Sequence, residues 1–391
     1  MDPNYILFDT PDRDLLFPFT HTRPSAACRV GLLSLQQKWA YLLGASLSHF
    51  TIDYLQPKFP LVTGGKEAVN ILLNGHVLPT EEFAAVVKGM ETGDEIYKDG
   101  SLIAKAVSGL DFLQSVNGKR KDFPGELRRM DHPWHIFQLN DYGIRQDFKM
   151  LTKGRKSAAI SKTNQVISPE NVFIEEGANV ECSVLNASTG PIYIGKNAQV
   201  MEGCLIRGPL AMGEGAVLKM GARIYGATSI GNYCVVGGEV KNTVFFDYSN
   251  KGHDGYLGDA VIGEWCNLGA NTNCSNLKNN AREVRVWMEG RKEAWPAGMK
   301  CGVLMGDYSR CSINTMFNTG TVIGVSSNVF GSDFPPKFLP SFSWGGSSYG
   351  PYRVEEAIRD AASWMLLKGK TMADMEKSIL TYIFELQTGQ A

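Results

Sequence analysis

The sequence predicts an α/β layer domain, then a parallel β-helix of hexapeptide repeats, then a helical tail. Three observations carry this. From Ile194, steps of six meet Val200, Ile206, Met212, Leu218, Ile224, Ile230 and Val236, all aliphatic or Met. Residues 1 to about 150 show no such repeat and alternate helix-like with strand-like stretches. After Phe330 come Pro335-Pro336, a Ser- and Gly-rich stretch and two helix-patterned segments.

In the first part, residues 30–44 carry helix-spaced apolar residues, with Leu32, Leu33, Leu35, Trp39 and Leu42 available to a core. Residues 68–78 read as a strand entering an Asn74-Gly75 turn. Residues 81–90 read as a helix, and 101–107 as a strand after Asp99-Gly100. Period six is neither the three-and-four spacing of an amphipathic helix nor the alternation of a half-buried strand. It is the signature of a parallel β-helix, in which each hexapeptide gives one short strand and one corner. If about a third of residues are aliphatic or Met, eight such hits arise by chance on the order of once in several thousand starting phases. Hexapeptide helices coil left-handed, an exception to the usual crossover rule. That handedness belongs to known repeats of this kind rather than to the spacing.

The phase breaks after Val236 and returns at Tyr256, Ile262, Leu268 and Cys274. It breaks again and returns at Met305, Cys311, Phe317, Ile323 and Val329. Residues 239–255 and 276–302 are therefore expected to project as loops. In the tail, residues 352–367 and 371–386 read as helices. Thr371 and Asp374 suggest a cap for the second, and Ile379, Ile383 and Leu386 an apolar stripe. The expected organisation is 1–155, 165–331 for the β-helix, and 332–391 for a linker and the helices.

Composition narrows the function. The chain has 391 residues, 43% hydrophobic, 20% charged, with net charge −1. No global field favours nucleic acid or an anionic membrane, so an anionic ligand must be met by local Lys and Arg. No apolar window reaches spanning length, and the first residues lack a basic stretch followed by an apolar run. The eight cysteines are scattered, without a C-x-x-C pair or nearby His at ligand spacing, so no zinc site is expected. These features predict a soluble cytoplasmic protein.

Residues 251–276 read KGHDGYLGDAVIGEWCNLGANTNCSN. This segment resembles the acetyltransferase half of the bifunctional GlmU family, whose members join it to a uridylyltransferase half. The stretches LFPFTHTRP at 16–24, SNKGHDG at 249–255 and SFSWG at 341–345 are similar to a GlmU-like group of sugar nucleotidyltransferases. The resemblance implies an α/β nucleotidyltransferase-like N-terminal domain before the left-handed β-helix. It implies acetyl-CoA as co-substrate, a sugar phosphate or nucleotide sugar as acceptor, and a homotrimer with CoA between protomers. His253 corresponds to the family's general base, a duty that suits imidazole because it titrates near neutrality. Asn276 and Asn267 match positions near the sugar and reacting centre, and Arg223, Lys241 and Tyr256 match the phosphate-binding positions. Ala270 matches a backbone contact to acetyl-CoA.

Each has a plainer reading. His253 can be an idle surface residue, Asn267 and Asn276 can serve left-handed corners, and Arg223 and Lys241 can be solvated charges. Tyr256 falls on the six-residue phase, so it can be core. Arg223 and Lys241 lie eighteen residues apart, one full coil, and are expected to stack. There are departures too. The family's Asn-Tyr pair is Asn276-Leu277 here, Gly306-Asp307 stands near a CoA contact, and the 276–302 loop is long. In the N-terminal half, residues 8–24 contain no Gly where the family has a phosphate loop. Leu15 and Ser25 stand where Arg and Lys are expected, and Asn74-Gly75 where a metal-binding Asp ends a strand. Arg13, Arg23 and Arg29 could still meet an anion, and Mg²⁺ would be needed if this half is active. The reading is an acetyltransferase with a degenerate nucleotidyltransferase half. A sugar-1-phosphate nucleotidyltransferase and a non-catalytic sugar-nucleotide-binding protein are the alternatives.

Overall fold

A computed structural model describes residues 3–63, 68–109 and 118–390 of the protein. The chain forms two compact units. One comprises Met1–Leu16, Thr22–Arg29 and Leu33–Asp131, the other Phe17–His21, Val30–Leu32 and His132–Ala391. Among the described residues, no helix is long and apolar enough to cross a membrane.

The first unit is a six-stranded sheet in the order Leu47–Phe50, Asn4–Phe8, Val69–Asn74, Ser101–Ser108, Asp94–Lys98, Lys119–Asp122. The first three strands are parallel, and Ser101–Ser108 runs against Val69–Asn74. Helices Leu35–Leu43 and Glu81–Lys88 complete the α/β pattern. The first helix starts later than its apolar spacing suggests. Ser34 caps it by accepting from Gln37 N, and Gly31 lies at φ +89. Gly31 and Leu32 belong instead to the second unit, where their amides bond Asn140 and Asp147. Local capping chemistry thus overrides the longer apolar spacing.

The second unit holds the repeat. Three ladders form its faces: nine parallel strands from Val172–Ile174, ten from Asn179–Val180 of which only the last, Tyr349–Pro351, is antiparallel, and six parallel strands from Gln165–Ile167 to Tyr256–Gly258. All eight residues of the first phase point into one apolar core, which continues through Leu257, Ile262, Leu268 and Phe317. Corner positions repeatedly adopt positive φ, as at Asn197, Tyr233, Trp265 and Asn314. Six cysteines (204, 234, 266, 274, 301 and 311) are buried and free, filling space as small apolar groups.

The first phase break does not project. Strands Glu239–Lys241, Val244–Phe245 and Asn250–Lys251 keep their ladders, because the coil contracts by two or three residues. Arg223 accordingly sits beside Glu239, and Tyr225 beside Lys241. Arg223 and Lys241 are on one face but offset along it, so the expected stacking is corrected. Leu257, not Tyr256, is the core residue of the next coil. The second break does project, carrying the hairpin Arg285–Met288 with Glu293–Pro296. Beyond Gly331, strands Phe338–Leu339 and Ser343–Gly345 add a further coil before helices Val354–Leu367 and Asp374–Thr388. The last helix begins without Thr371: the Glu376 carboxylate accepts from Ala373 N. Ile379 and Ile383 are buried, whereas Leu386 is exposed.

Candidate active site

All but Asn267 of the β-helix residues singled out in the sequence gather where the ten-stranded face turns into the six-stranded face. Strand Asn250–Lys251 ends one, Tyr256–Gly258 begins the other, and residues 252–255 make the corner. The corner lies flat because its floor is bare of side chains. A Cβ on Gly238 would meet His253 O at 2.8 Å, and one on Gly237 would meet Gly252 O at 2.8 Å. Gly255 lies at φ +112, with Thr272 O 2.1 Å from where a Cβ would stand. Gly255→Ala should therefore displace the corner, lowering folding stability by about 2–4 kcal/mol in a denaturant titration.

His253 is exposed at this corner. It lines a hollow of about 550 Å³ with Lys219, Met220, Gly238, Asp254, Ala270 and Asn271. The hollow thus unites His253 with Ala270. Three residues on, Tyr256 points outward from the coil rather than into the core. Its hydroxyl oxygen accepts from Asn276 Nδ2 at 3.0 Å, which leaves the phenol proton to be given elsewhere. Asn276 Nδ2 also contacts the buried Asp259 carboxylate, which accepts from Asn242 Nδ2 at 2.7 Å. Burial pushes the Tyr256 phenol well above its ordinary range.

Arg223 and Lys241 share this face with Tyr256. Between them stands Glu239, which the sequence reading passed over. Its carboxylate lies 3.7 Å from Arg223 Nε and accepts from Tyr225 OH at 2.7 Å. That bond pushes the Tyr225 phenol up to about 12. Lys241 Nζ lies 6.0 Å from the Tyr225 ring. The face therefore presents two cations, a carboxylate and an oriented phenol, suited to a ligand with both phosphate and hydroxyl or amine groups.

Asn267 is elsewhere. It is half-buried on the ten-stranded face, between Asn250 and Arg310, and Lys368 Nζ bonds Asn250 Oδ1 at 2.9 Å. Neither Asn267 nor Asn276 is at positive φ; the left-handed corner belongs to Asn271. Asp307 is buried and accepts from Glu264 N at 2.8 Å, a corner brace rather than a surface charge.

In the first unit, the positions matching the phosphate loop are spent internally. Asp9 accepts from Ser25 N at 2.9 Å and Thr51 Oγ1 at 2.6 Å, and lies 3.5 Å from Arg13 Nε. Ser25 Oγ meets His76 Nε2 at 3.1 Å, and burial lowers the pKa of His76. Asn74 bonds Leu102 O and His76 N. These donors do not fit a magnesium ion. Among the described residues, no three His, Cys, Asp or Glu side chains converge as metal ligands.

Residues 5–156 match the family described as sugar nucleotidyl transferase. The bifunctional protein GlmU of Methanococcus maripaludis strain S2 is 30% identical over 54% of this chain and 45% of its own. A bifunctional sugar-1-phosphate nucleotidylyltransferase/acetyltransferase of Sulfurisphaera tokodaii is 34% identical over 24% of this chain and 23% of its own. GlmU of Methanocaldococcus jannaschii is 34% identical over 22% and 21%. The chain thus spans less than half the length of these curated relatives. Solved UDP-N-acetylglucosamine O-acyltransferase from Moraxella catarrhalis is 14% identical over 59% of this chain and 92% of its own, with a TM-score of 0.24. Residues 5–156 match the sugar nucleotidyl transferase family model, and the chain is GlmU-like: a nucleotidyltransferase-like α/β domain followed by a parallel β-helix.

Proposed function

We propose that the β-helix half is an acyl-CoA-dependent acetyltransferase acting on an amino-sugar phosphate or nucleotide-linked amino sugar. One observation carries the reading. A single exposed corner sets His253 and Ala270 around one hollow, and the strand leaving it carries Tyr256 into the row of Arg223, Lys241 and Asn276. The His253 imidazole takes a proton from the sugar amine as its nitrogen attacks the acetyl carbonyl carbon. The C–N bond forms, the C–S bond breaks, and CoA leaves as the thiol. Asn276 and the Tyr256 phenol orient the sugar, Arg223 and Lys241 neutralise its phosphate, and Glu239 takes a hydroxyl or the amine. Asn267 reaches this group only from another copy of the chain, as a closed homotrimer would allow. The chain would work in the cytoplasm, where acetyl-CoA and sugar nucleotides are available.

Under this reading, Arg223→Ala and Lys241→Ala each raise KM for the sugar phosphate about 10-fold with kcat little changed, as lost charge-assisted phosphate contacts should. Steady-state kinetics against glucosamine-1-phosphate checks this. An unchanged KM in both variants would remove the phosphate from this face.

A second reading is favoured by the family match of residues 5–156. It is transfer of a nucleotidyl group to a sugar-1-phosphate. Pyrophosphate release from UTP or dTTP would support it. The Gly-free loop, the engaged Asn74 and the Ser25 position support a half that has lost this activity.

A further inference from the structure

The core of the coil contains one residue that does not belong to an apolar stack. Along the ten-stranded face the inward positions are Val180, Val200, Leu218, Val236, Lys251, Leu268, Cys311 and Val329. Lys251 occupies an axial place beside Val236 and is 1% exposed. A chain of methylenes replaces the aliphatic side chain there, and its charge must still be met. All three ammonium donors are used. Lys251 Nζ donates to Gly237 O at 3.2 Å, His253 O at 2.9 Å and Asp254 O at 3.4 Å. Two of these carbonyls belong to the corner that carries the candidate base, and the third to the bare floor on which the corner rests. Among the described residues, the ammonium pairs with no carboxylate. Asp254 on the corner, Arg223 two coils before and Cys311 two coils after are the ionisable groups that act on it.

We propose that Lys251 is a positioning residue for His253: from inside the coil, its ammonium holds the corner backbone and fixes where the imidazole stands. The inference rests on the acetyl-transfer reading for its functional consequence and on geometry alone for the clamp. A residue needed only for packing would be served better by Val, Leu or Met, as at the other axial positions. A lysine there is explained by what its far end binds. Burial lowers the ammonium to about 8, so the clamp weakens as pH rises through that value and the amine keeps fewer donors.

The test is amide hydrogen exchange of residues 250–258 in the full-length protein, wild type against Lys251→Met, from pH 6.5 to 9.5. Met keeps the axial packing and removes the donors. In the wild type, corner protection corrected for intrinsic exchange falls as pH passes about 8. In Lys251→Met it is lower at neutral pH by roughly 10-fold and flat with pH, while no other coil loses protection. Acetyl transfer by the variant shows kcat lowered about 10- to 100-fold with KM for acetyl-CoA little changed, the signature of a misplaced base. Equal corner protection in the two proteins overturns the proposal, whatever the activity. So does a variant with a loosened corner and unaltered kcat. Wild type that transfers no acetyl group defeats the reaction assigned above, a failure visible without any variant, and overturns the functional half of this proposal with it. If Lys251→Met does not fold, the pH dependence of wild-type corner protection decides alone: protection that is flat through pH 8 overturns the clamp.

Discussion

Replacing His253 by Ala lowers kcat for acetyl transfer by about 10²–10⁴-fold, the contribution of a positioned general base. KM for acetyl-CoA stays close to the wild-type value, because the hollow keeps Ala270, Met220 and its glycine floor. The melting temperature stays too. His253 is exposed, and surface substitutions away from special backbone conformations usually move stability by less than about 0.5 kcal/mol. This combination separates loss of chemistry from loss of fold. Thermal denaturation and steady-state kinetics on the same preparation check it.

The second large effect runs in the opposite direction for stability. Lys251→Met should make the protein more stable at pH 7, although it makes it a worse catalyst. The folded ammonium sits at about 8 against an ordinary 10.5, with burial as the first cause. At about 1.4 kcal/mol per tenfold, a charged Lys251 costs on the order of 3 kcal/mol at neutral pH. The sign follows from proton counting. Below pH 8 both folded and unfolded chains carry the proton, and the full cost is present. Between pH 8 and 10.5 the unfolded chain holds the proton more tightly, so stability rises with pH. Above 10.5 the cost is gone. The stabilisation of Lys251→Met over wild type should therefore be largest below pH 8 and shrink through pH 10. Denaturant titrations at pH 7 and 10 check it, and equal differences at both would contradict it. Replacing buried charge by apolar groups is often stabilising. Here two of the three carbonyls released belong to the exposed corner residues His253 and Asp254, and the third to buried Gly237.

The repeat was legible because an axial stack demands one apolar residue per hexapeptide, and from Ile194 to Val236 nothing interrupts it. It became illegible where the coil contracts. Stepping by six from Val236 passes over Val240, Phe245 and Lys251, since a shortened turn shifts the phase without breaking any ladder. Tyr256 fell on the step of six and looked equally suited to the core. The contraction moves that duty to Leu257 and turns the phenol outward. The same shift separates Arg223 from Lys241 and brings Glu239 between them. Lys251 left no sequence signal of its own: a lone lysine before Gly-His reads as surface charge until its neighbours on the axis are known. His253, Asn276, Arg223, Lys241, Tyr256 and Ala270 converge on one corner and the adjoining face, and Asn267 does not. A linear spacing cannot say which face of a three-sided coil a strand residue will occupy once turn lengths vary.

Acetyl transfer at the His253 corner is read out by thiol release. Purified full-length protein is mixed with acetyl-CoA and glucosamine-1-phosphate, and free CoA is followed beside a control without sugar. Wild type should release thiol in a sugar-dependent manner, and a folded His253→Ala variant should not. Release that persists undiminished in His253→Ala, or its absence in the wild type across amino-sugar phosphates and nucleotide-linked amino sugars, would contradict it.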